Sequence, residues 1–376
     1  MLHENLKSIK KIISLLLIFF FFILILIPNV GIDYHETKSD RENRTLASFP
    51  GKFSRTFGME FEQWYNDRFF GRNFYISIME FFNLNPKSSV GNDQVILGKD
   101  GWIFLNAGGI CVRDYMNIER FTDAELKGIA EYISGFSDWC RENGKEFLFV
   151  VAPDKMRVYG EFYPDCIKKM NPDSASRVCQ LIDYFEKNSS VRPLYLIDDL
   201  LEEKNKSREL LYYKNDTHWN DLGGYIGYSR INEVFGQIGA ERIFIDEWSK
   251  VKNERGDLNN LYPEGTRNDG VTEYPLAKYD FTYSSNCVDS RHPYDSECKD
   301  GKKSLVVFRD SFFNAMHPYF SQQFKSVKDY WKREVTAEDL EYLKENGDVV
   351  IYEVVERLLF QLSDLKFPVN LEKDGE

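Results

Sequence analysis

Leu305-Val306-Val307-Phe308-Arg309-Asp310-Ser311-Phe312-Phe313 is an apolar run, a polar turn and a serine, followed by two aromatic residues. A short apolar run ended by a turn reads as a strand buried on both faces. Outward from it the same pattern recurs. Further strands are expected at Phe147 to Val151 and Leu194 to Ile197 upstream, and at 326–331 and 348–353 downstream. Helical stretches separate them: one opened by a Thr122/Glu125 capping box and closed near Asn143-Gly144, then Asp173–Lys187, Asp221–Gly239, 312–324 and 336–345. Apolar strands alternating with helices predict an α/β fold, with a mostly parallel sheet covered on both faces. In such sheets sites form beyond the carboxyl ends of the strands. Ser311 is expected there, opening a helix, with its own N–H facing a developing oxyanion.

Asn215-Asp216-Thr217-His218-Trp219-Asn220 supplies what a serine needs. A hydroxyl is a poor nucleophile at neutral pH; a base must take its proton, and a carboxylate must orient that base. The chain has five histidines, so few pairings are available. Ser311 as nucleophile, His218 as base and Asp216 as orienting carboxylate form the candidate triad. His317 is a rival base, but six residues along a helix from Ser311 it falls on a different face. Lys155, after the Phe147–Val151 strand and Pro153, reads either as support for the site or as a solvated lysine. Trp219 either packs the histidine loop or stacks on a sugar.

A net charge of -12 over 376 residues excludes nucleic-acid binding as a main role, because phosphate binding needs a basic face. Ile12 to Ile27 is apolar except for Ser14, spanning about 24 Å as a helix. Lys7, Lys10 and Lys11 precede it, and Asp33, Glu36 and Asp40 follow. This predicts an uncleaved transmembrane anchor with the N-terminus cytoplasmic and the rest extracytoplasmic, extracellular or periplasmic. A cleaved signal peptide is the rival, but Pro28-Asn29-Val30-Gly31 offers no small-x-small site. The expected organisation is a tip and anchor at 1–32, a polar stalk at 33–54, and a catalytic domain at 55–376 with an insertion at 250–300. Before the first predicted strand, helical spacing runs from Phe53 to Phe82. Val95–Leu97 and Trp102–Leu105 flank Gly98-Lys99-Asp100-Gly101 as a hairpin.

Six cysteines outside the membrane would meet an oxidising compartment. Cys287 and Cys298 bracket a polar loop as a disulfide would, and Cys166 with Cys179 is a second candidate pair. Cys111 and Cys140 are unassigned. With no C-x-x-C and no histidine cluster, no metal site is expected, and no cofactor.

Several segments resemble SGNH-like acyltransferases of the alginate O-acetylation and DHHW families. They are Glu42-Asn43-Arg44 with Leu46-Ala47 and Pro50, Phe61 through Arg72, Gly98 through Phe104, Pro153-Asp154-Lys155 and Gly256-Asp257-Leu258. Asp216-Thr217-His218-Trp219 is the most specific match, and Asp310-Ser311-Phe312 is similar to the family's nucleophile segment. The resemblance implies an SGNH-hydrolase-like three-layer α/β/α sandwich. It implies the triad roles given above. It also implies acetyl transfer to an exported polysaccharide, with a multi-pass membrane O-acyltransferase as the donor partner. Arg309 stands where the family has Gly. It either crowds the nucleophile turn or adds an oxyanion-stabilising charge; Asn314 is the other candidate for the second oxyanion donor. Glu356-Arg357 reads either as a surface ion pair or as the family's pair at the sheet end.

Three functions are in play. The leading one is O-acetyl transfer to a secreted or cell-surface glycan through an acyl-Ser311 intermediate. The second is a carbohydrate acetylesterase using the same triad. The third is an inactive membrane-anchored glycan-binding scaffold, which Arg309 keeps open.

Overall fold

The computed structural model describes residues 38–39, 44–53, 57–70, 94–167, 175–236, 243–253, 256–261, 272–278, 284–286 and 295–368. The chain divides into two compact units, Met1–Ser88 and Ser89–Glu376. Among the described residues no helix is long and apolar enough to cross a membrane; the expected anchor at 12–27 lies outside them. In the first unit the Phe57–Arg68 helix carries an aromatic ladder, with Phe57, Phe61, Tyr65 and Phe69 stacked in turn. The remainder of the helical spacing expected to Phe82 also lies outside the described residues.

The second unit is an α/β/α sandwich around a seven-stranded sheet. In spatial order the strands are Leu194–Tyr195, Glu146–Ala152, Val349–Val355, Ser304–Phe308, Ser326–Tyr330, Asp295–Glu297 and Ser284–Asn286. The first five run parallel; Asp295–Glu297 pairs antiparallel with Ser326–Tyr330, and Ser284–Asn286 antiparallel with Asp295–Glu297, so the sheet is mixed at one edge. Those two edge strands come from the segment expected to be an insertion.

Burial follows the period of a strand. Leu305 and Val307 enter one core with Ile351, Val355 and Val150. Val306 and Phe308 enter the other with Val350, Tyr352 and Phe149. The first core is covered by helices Ile197–Lys206, Asp221–Phe235 and His317–Gln323. The second is covered by Asp123–Glu142, Arg177–Asn188 and Ala337–Asn346. Each large apolar side chain so buried contributes about 1.5–3 kcal/mol. The Thr122/Glu125 capping box forms as expected, and the Val95–Leu97/Ile103–Leu105 hairpin pairs antiparallel.

Two expectations change. The strand expected to reach Ile197 stops at Tyr195, and Ile197 starts a helix. The helix expected over 312–324 is a 3-10 turn, Ser311–Ala315, followed by the α-helix His317–Gln323. Pro318 is the reason: it has no N–H to continue a helix from the nucleophile turn, so the α-helix must restart around it.

Candidate active site

The Ser304–Phe308 strand brings the chain to the carboxyl end of the sheet. Arg309 N–H still pairs with Tyr330 O at 3.0 Å. Asp310 then ends the strand. Its buried carboxylate accepts from Phe312 N–H at 2.9 Å and from Val355 N–H at 2.7 Å. One oxygen caps the 3-10 turn that begins at Ser311, and the other clamps that turn to the neighbouring strand. The Asp310 N–H donates to Glu353 at 3.1 Å. Burial, then the Asp310 charge, push the Glu353 carboxyl well above its usual range.

The histidine loop is built by residues 211–220 folding back on themselves. Tyr212 and Trp219 form an antiparallel bridge, and Asn220 N–H donates to Leu211 O at 2.9 Å. Asn220 also caps the Asp221–Phe235 helix through Gly223 N–H. The loop tip is held from beneath by Lys155. Its amine donates to Tyr213 O at 3.0 Å, Lys214 O at 3.1 Å and Asp216 O at 2.6 Å. From the other side Gly256 approaches so closely that an added Cβ would lie 2.0 Å from Asn215 O. Trp219 joins the two halves of the site, its indole N–H donating to Phe312 O at 2.8 Å.

Ser311 Oγ and His218 Nε2 are 2.6 Å apart, and His218 Nδ1 is 2.6 Å from Asp216 Oδ1. A carboxylate only accepts, so Nδ1 carries the proton and Nε2 offers its lone pair to the Ser311 hydroxyl. Burial alone would raise the Asp216 carboxyl. The hydrogen bonds from His218 and the Asp257 N–H, with the His218 charge, outweigh it and hold Asp216 well below the usual range.

Asp257 is the functional residue the sequence reading did not assign. It accepts from Thr217 N–H at 2.8 Å and Thr217 Oγ at 2.5 Å, and lies 3.8 Å from His218 Nδ1. Its own N–H donates to Asp216 at 3.1 Å. The available signal was Gly256-Asp257-Leu258, one of the segments that resemble the family. Burial and the Asp216 charge raise the Asp257 carboxyl. Asp216, His218 and Asp257 offer ligand atoms within 4.8 Å of one another, the spacing of a cation site. Those groups are already engaged with one another and with Thr217, an arrangement that suits a proton relay.

The remaining candidates fall into place as follows. Lys155 is 3% exposed, so the solvated alternative is corrected: it is a buried anchor of the histidine loop. Trp219 is 1% exposed, which corrects sugar stacking in favour of packing. Arg309 is fully buried, its guanidinium 3.2 Å from both Asp329 oxygens and 4.4 Å above the Trp331 ring. It neither crowds the turn nor faces the reacting hydroxyl, so the oxyanion-charge expectation for it is corrected. Asn314 stays exposed, its amide oxygen accepting from Arg309. His317 is buried beside Ser321 and Asp329. Glu356 and Arg357 are not a surface pair: Glu356 binds Arg157 and Tyr195, and Arg357 binds Asp154, all in the interior. Cys166 and Cys179 are free, exposed thiols, so the second disulfide is not made. Cys298 is also free and is buried. Its expected partner Cys287 lies outside the described residues.

A family model described as the SGNH hydrolase-like domain of acetyltransferase AlgX matches residues 95–290. That span includes Lys155, Asp216, His218 and Asp257. The probable alginate O-acetylase AlgJ of Pseudomonas putida is 25% identical over 178 residues, 46% of this chain. The match spans 43% of that relative's length. Among solved structures, PatB1 of Bacillus cereus is similar with a TM-score of 0.52 at 17% identity, over 72% of this chain and 99% of that one. A DHHW family protein from Eubacterium siraeum gives 0.50 at 15% identity, over 74% and 98%. At such identities these two structures speak for the fold.

Proposed function

The chain belongs to the family of SGNH hydrolase-like domains of the acetyltransferase AlgX type, and from that premise we propose that it moves acetyl groups onto hydroxyls of an exported polysaccharide through an acyl-Ser311 intermediate. The observation that carries this reading is the unbroken line Ser311–His218–Asp216, with both hydrogen bonds at 2.6 Å. The curated relative named as an alginate O-acetylase supports the substrate class.

In the first half-reaction Ser311 Oγ bonds to the acyl carbonyl carbon as its proton passes to His218 Nε2. The tetrahedral adduct collapses, and the departing oxygen takes the proton back from His218. In the second half-reaction a sugar hydroxyl gives its proton to His218 and bonds to the same carbonyl carbon. Ser311 leaves and recovers its proton. Asp216 orients the imidazole and stabilises the imidazolium throughout. In this reading the domain works outside the membrane, tethered by the 12–27 segment, and receives acetyl from a multi-pass membrane O-acyltransferase.

Transfer is tested by giving the full chain an activated acetyl ester with and without oligosaccharide. The expected result is acetylated oligosaccharide formed at the expense of free acetate. Acetate release alone, together with deacetylation of an acetylated glycan, would replace transfer by esterase action. Binding of glycan without Ser311-dependent turnover would leave only the scaffold.

Lys155 gives this activity a pH dependence. Burial, opposed by the Asp216 and Asp257 charges, brings its amine from 10.5 down to about 7. Only the protonated amine has three N–H donors for its three carbonyls. Raising the pH through about 7 therefore loosens the Asp216 end of the loop, and kcat falls on the alkaline side. Stability has the opposite sign. Between about pH 7 and 10.5 the unfolded chain keeps a proton the folded chain has released, so the contribution of Lys155 rises with pH across that window. Lys155→Met should erase both slopes. An unchanged alkaline limb in that variant would remove Lys155 from the account.

A further inference from the structure

A sugar acceptor needs more than a triad: its ring must be held while one hydroxyl takes the acetyl group from Ser311. A pyranose is polar around its edge but presents C–H groups on its faces. A flat aromatic ring with a negative π face left open receives such a face. Tryptophan offers the largest ring of this kind, and the chain has six. Trp64, Trp102, Trp139 and Trp219 are buried. Trp248 packs against the first core and the Tyr225 ring. Trp331 is half-buried and belongs to neither core.

We propose that Trp331 is a sugar platform of the acceptor site, stacking one ring of the polysaccharide beside the acyl-serine, and that Arg309 is the floor that holds the indole in place. This rests on the acyl-Ser311 reading and gives it an acceptor-binding residue. The first support is position. The strands Ser304–Phe308 and Ser326–Tyr330 run parallel with Phe308 opposite Tyr330, and Arg309 N–H continues the ladder to Tyr330 O at 3.0 Å. The next pair at the carboxyl end of the sheet is therefore Arg309 and Trp331. Counting by twos from Val307 and Val327 brings both to the sheet face whose core holds Trp219 and Phe312. Ser311 follows Arg309 by two residues. Neighbouring strands lie about 4.8 Å apart and two residues reach about 7 Å, so the Trp331 and Ser311 Cα atoms are within about 12 Å of each other, the span of a short oligosaccharide.

The second support is the mount. Arg309 is fully buried, and its guanidinium lies 4.4 Å from the centre of the Trp331 ring. A guanidinium stacks flat on an aromatic face. One face of the indole is thus covered by a buried cation, and the exposure of Trp331 falls on the opposite face and the edge. The guanidinium is itself fixed, at 3.2 Å from both Asp329 oxygens. It also donates to Asp310 O at 3.2 Å, so the platform and the nucleophile turn are bolted to one group. A glycine at 309 would leave the indole without this floor. Trp331 makes and breaks no bond; it holds the acceptor ring while His218 takes the proton of the reacting hydroxyl.

The test uses the full chain, an activated acetyl ester as donor, and alginate, chitin and cellulose oligosaccharides as acceptor probes. Trp331→Ala and Trp331→Leu should raise the acceptor KM about tenfold. At low acceptor they should lower the ratio of acetylated oligosaccharide to free acetate by the same factor. Acetate release without acceptor should change far less than transfer. Leucine keeps the apolar bulk, so it separates loss of the flat face from loss of the fold. Trp331→Phe keeps a flat ring and should recover most of the acceptor KM. A purely structural Trp331 would make the leucine and phenylalanine variants alike and lower acetate release in step with transfer; that outcome overturns the platform. So does an acceptor KM unchanged in Trp331→Ala. If the unaltered chain releases acetate but acetylates none of the probes, it is the transfer reading that falls. Trp331 is then decided by titrating the same oligosaccharides into Ser311→Ala with and without Trp331→Ala. An affinity that drops about tenfold on losing the indole upholds the platform, and equal affinity, or none for any probe, overturns it.

Discussion

Replacing Ser311 by alanine is expected to lower kcat on an activated acetyl ester by roughly 10⁴–10⁶-fold, with the melting temperature nearly unchanged. Ser311 is half-buried and its hydroxyl bonds only to His218 among the described contacts, so its loss strands little. His218→Ala should cost about as much, because nucleophile and base act as a unit. Asp216→Ala should cost less, about 10⁴-fold. The local reason is Asp257, which lies 3.8 Å from His218 Nδ1 and is already tied to the neighbouring Thr217. A second carboxylate retains part of the imidazole's orientation. Asp257→Ala alone should then be mild, and together with Asp216→Ala it should exceed the sum of the two. The measurement is kcat by acetate release with each purified variant. Turnover by Ser311→Ala within about tenfold of the unaltered rate would remove the acyl-serine mechanism.

The sequence exposed the parts of this molecule that depend on burial at short range. The strands Ser304–Phe308 and Val349–Val355 are buried on both faces, so they read as near-continuous apolar runs, interrupted within Val349–Val355 by Glu353. The edge strands Ser284–Asn286 and Asp295–Glu297 are short and polar, carry no such signal, and read as loop. The nucleophile and the Asp-x-His pair were legible because each is a local pattern beside a predicted element. Their supports were not. Lys155 reaches carbonyls 58 to 61 residues away, and Arg309 finds Asp329 on the adjacent strand. No spacing rule links such residues; only the sheet brings them together. The helix predicted after Ser311 failed because the effect of Pro318 falls on the turn before it.

Removing the charge of Arg157 is expected to cost about 3–5 kcal/mol of stability. Arg157 donates to Glu356 at 2.7 Å and to Asp114 at 2.9 Å, all three side chains nearly sealed from water. Asp114 keeps a second cation, Arg177 at 2.9 Å. Among the described residues Glu356 keeps the Tyr195 hydroxyl as its hydrogen-bond partner. Arg157→Met therefore strands one buried carboxylate, whose desolvation is no longer offset. The pH dependence follows from Glu356. Burial, opposed by Arg157, sets its carboxyl at about 7, above the ordinary 4.5. A raised carboxyl means the folded chain holds a proton the unfolded chain has lost, so this contribution falls as pH rises from 4.5 through 7. Without Arg157 the carboxyl rises further. The deficit of the variant should then be widest above about pH 7, where only the variant must still protonate Glu356 to stay folded. It should narrow below that. Adding Glu356→Leu to Arg157→Met removes the stranded charge and should restore most of the loss, since a packed apolar pair can stand in for a buried ion pair. Urea unfolding at pH 6 and pH 8, chosen to bracket that value, reads both effects. A double variant as unstable as Arg157→Met would mean that the arginine acts through its packing and its Asp114 bond rather than by neutralising Glu356. The consequence reaches the site, because Glu356 directly follows the strand whose Val355 N–H holds Asp310, the residue before the nucleophile.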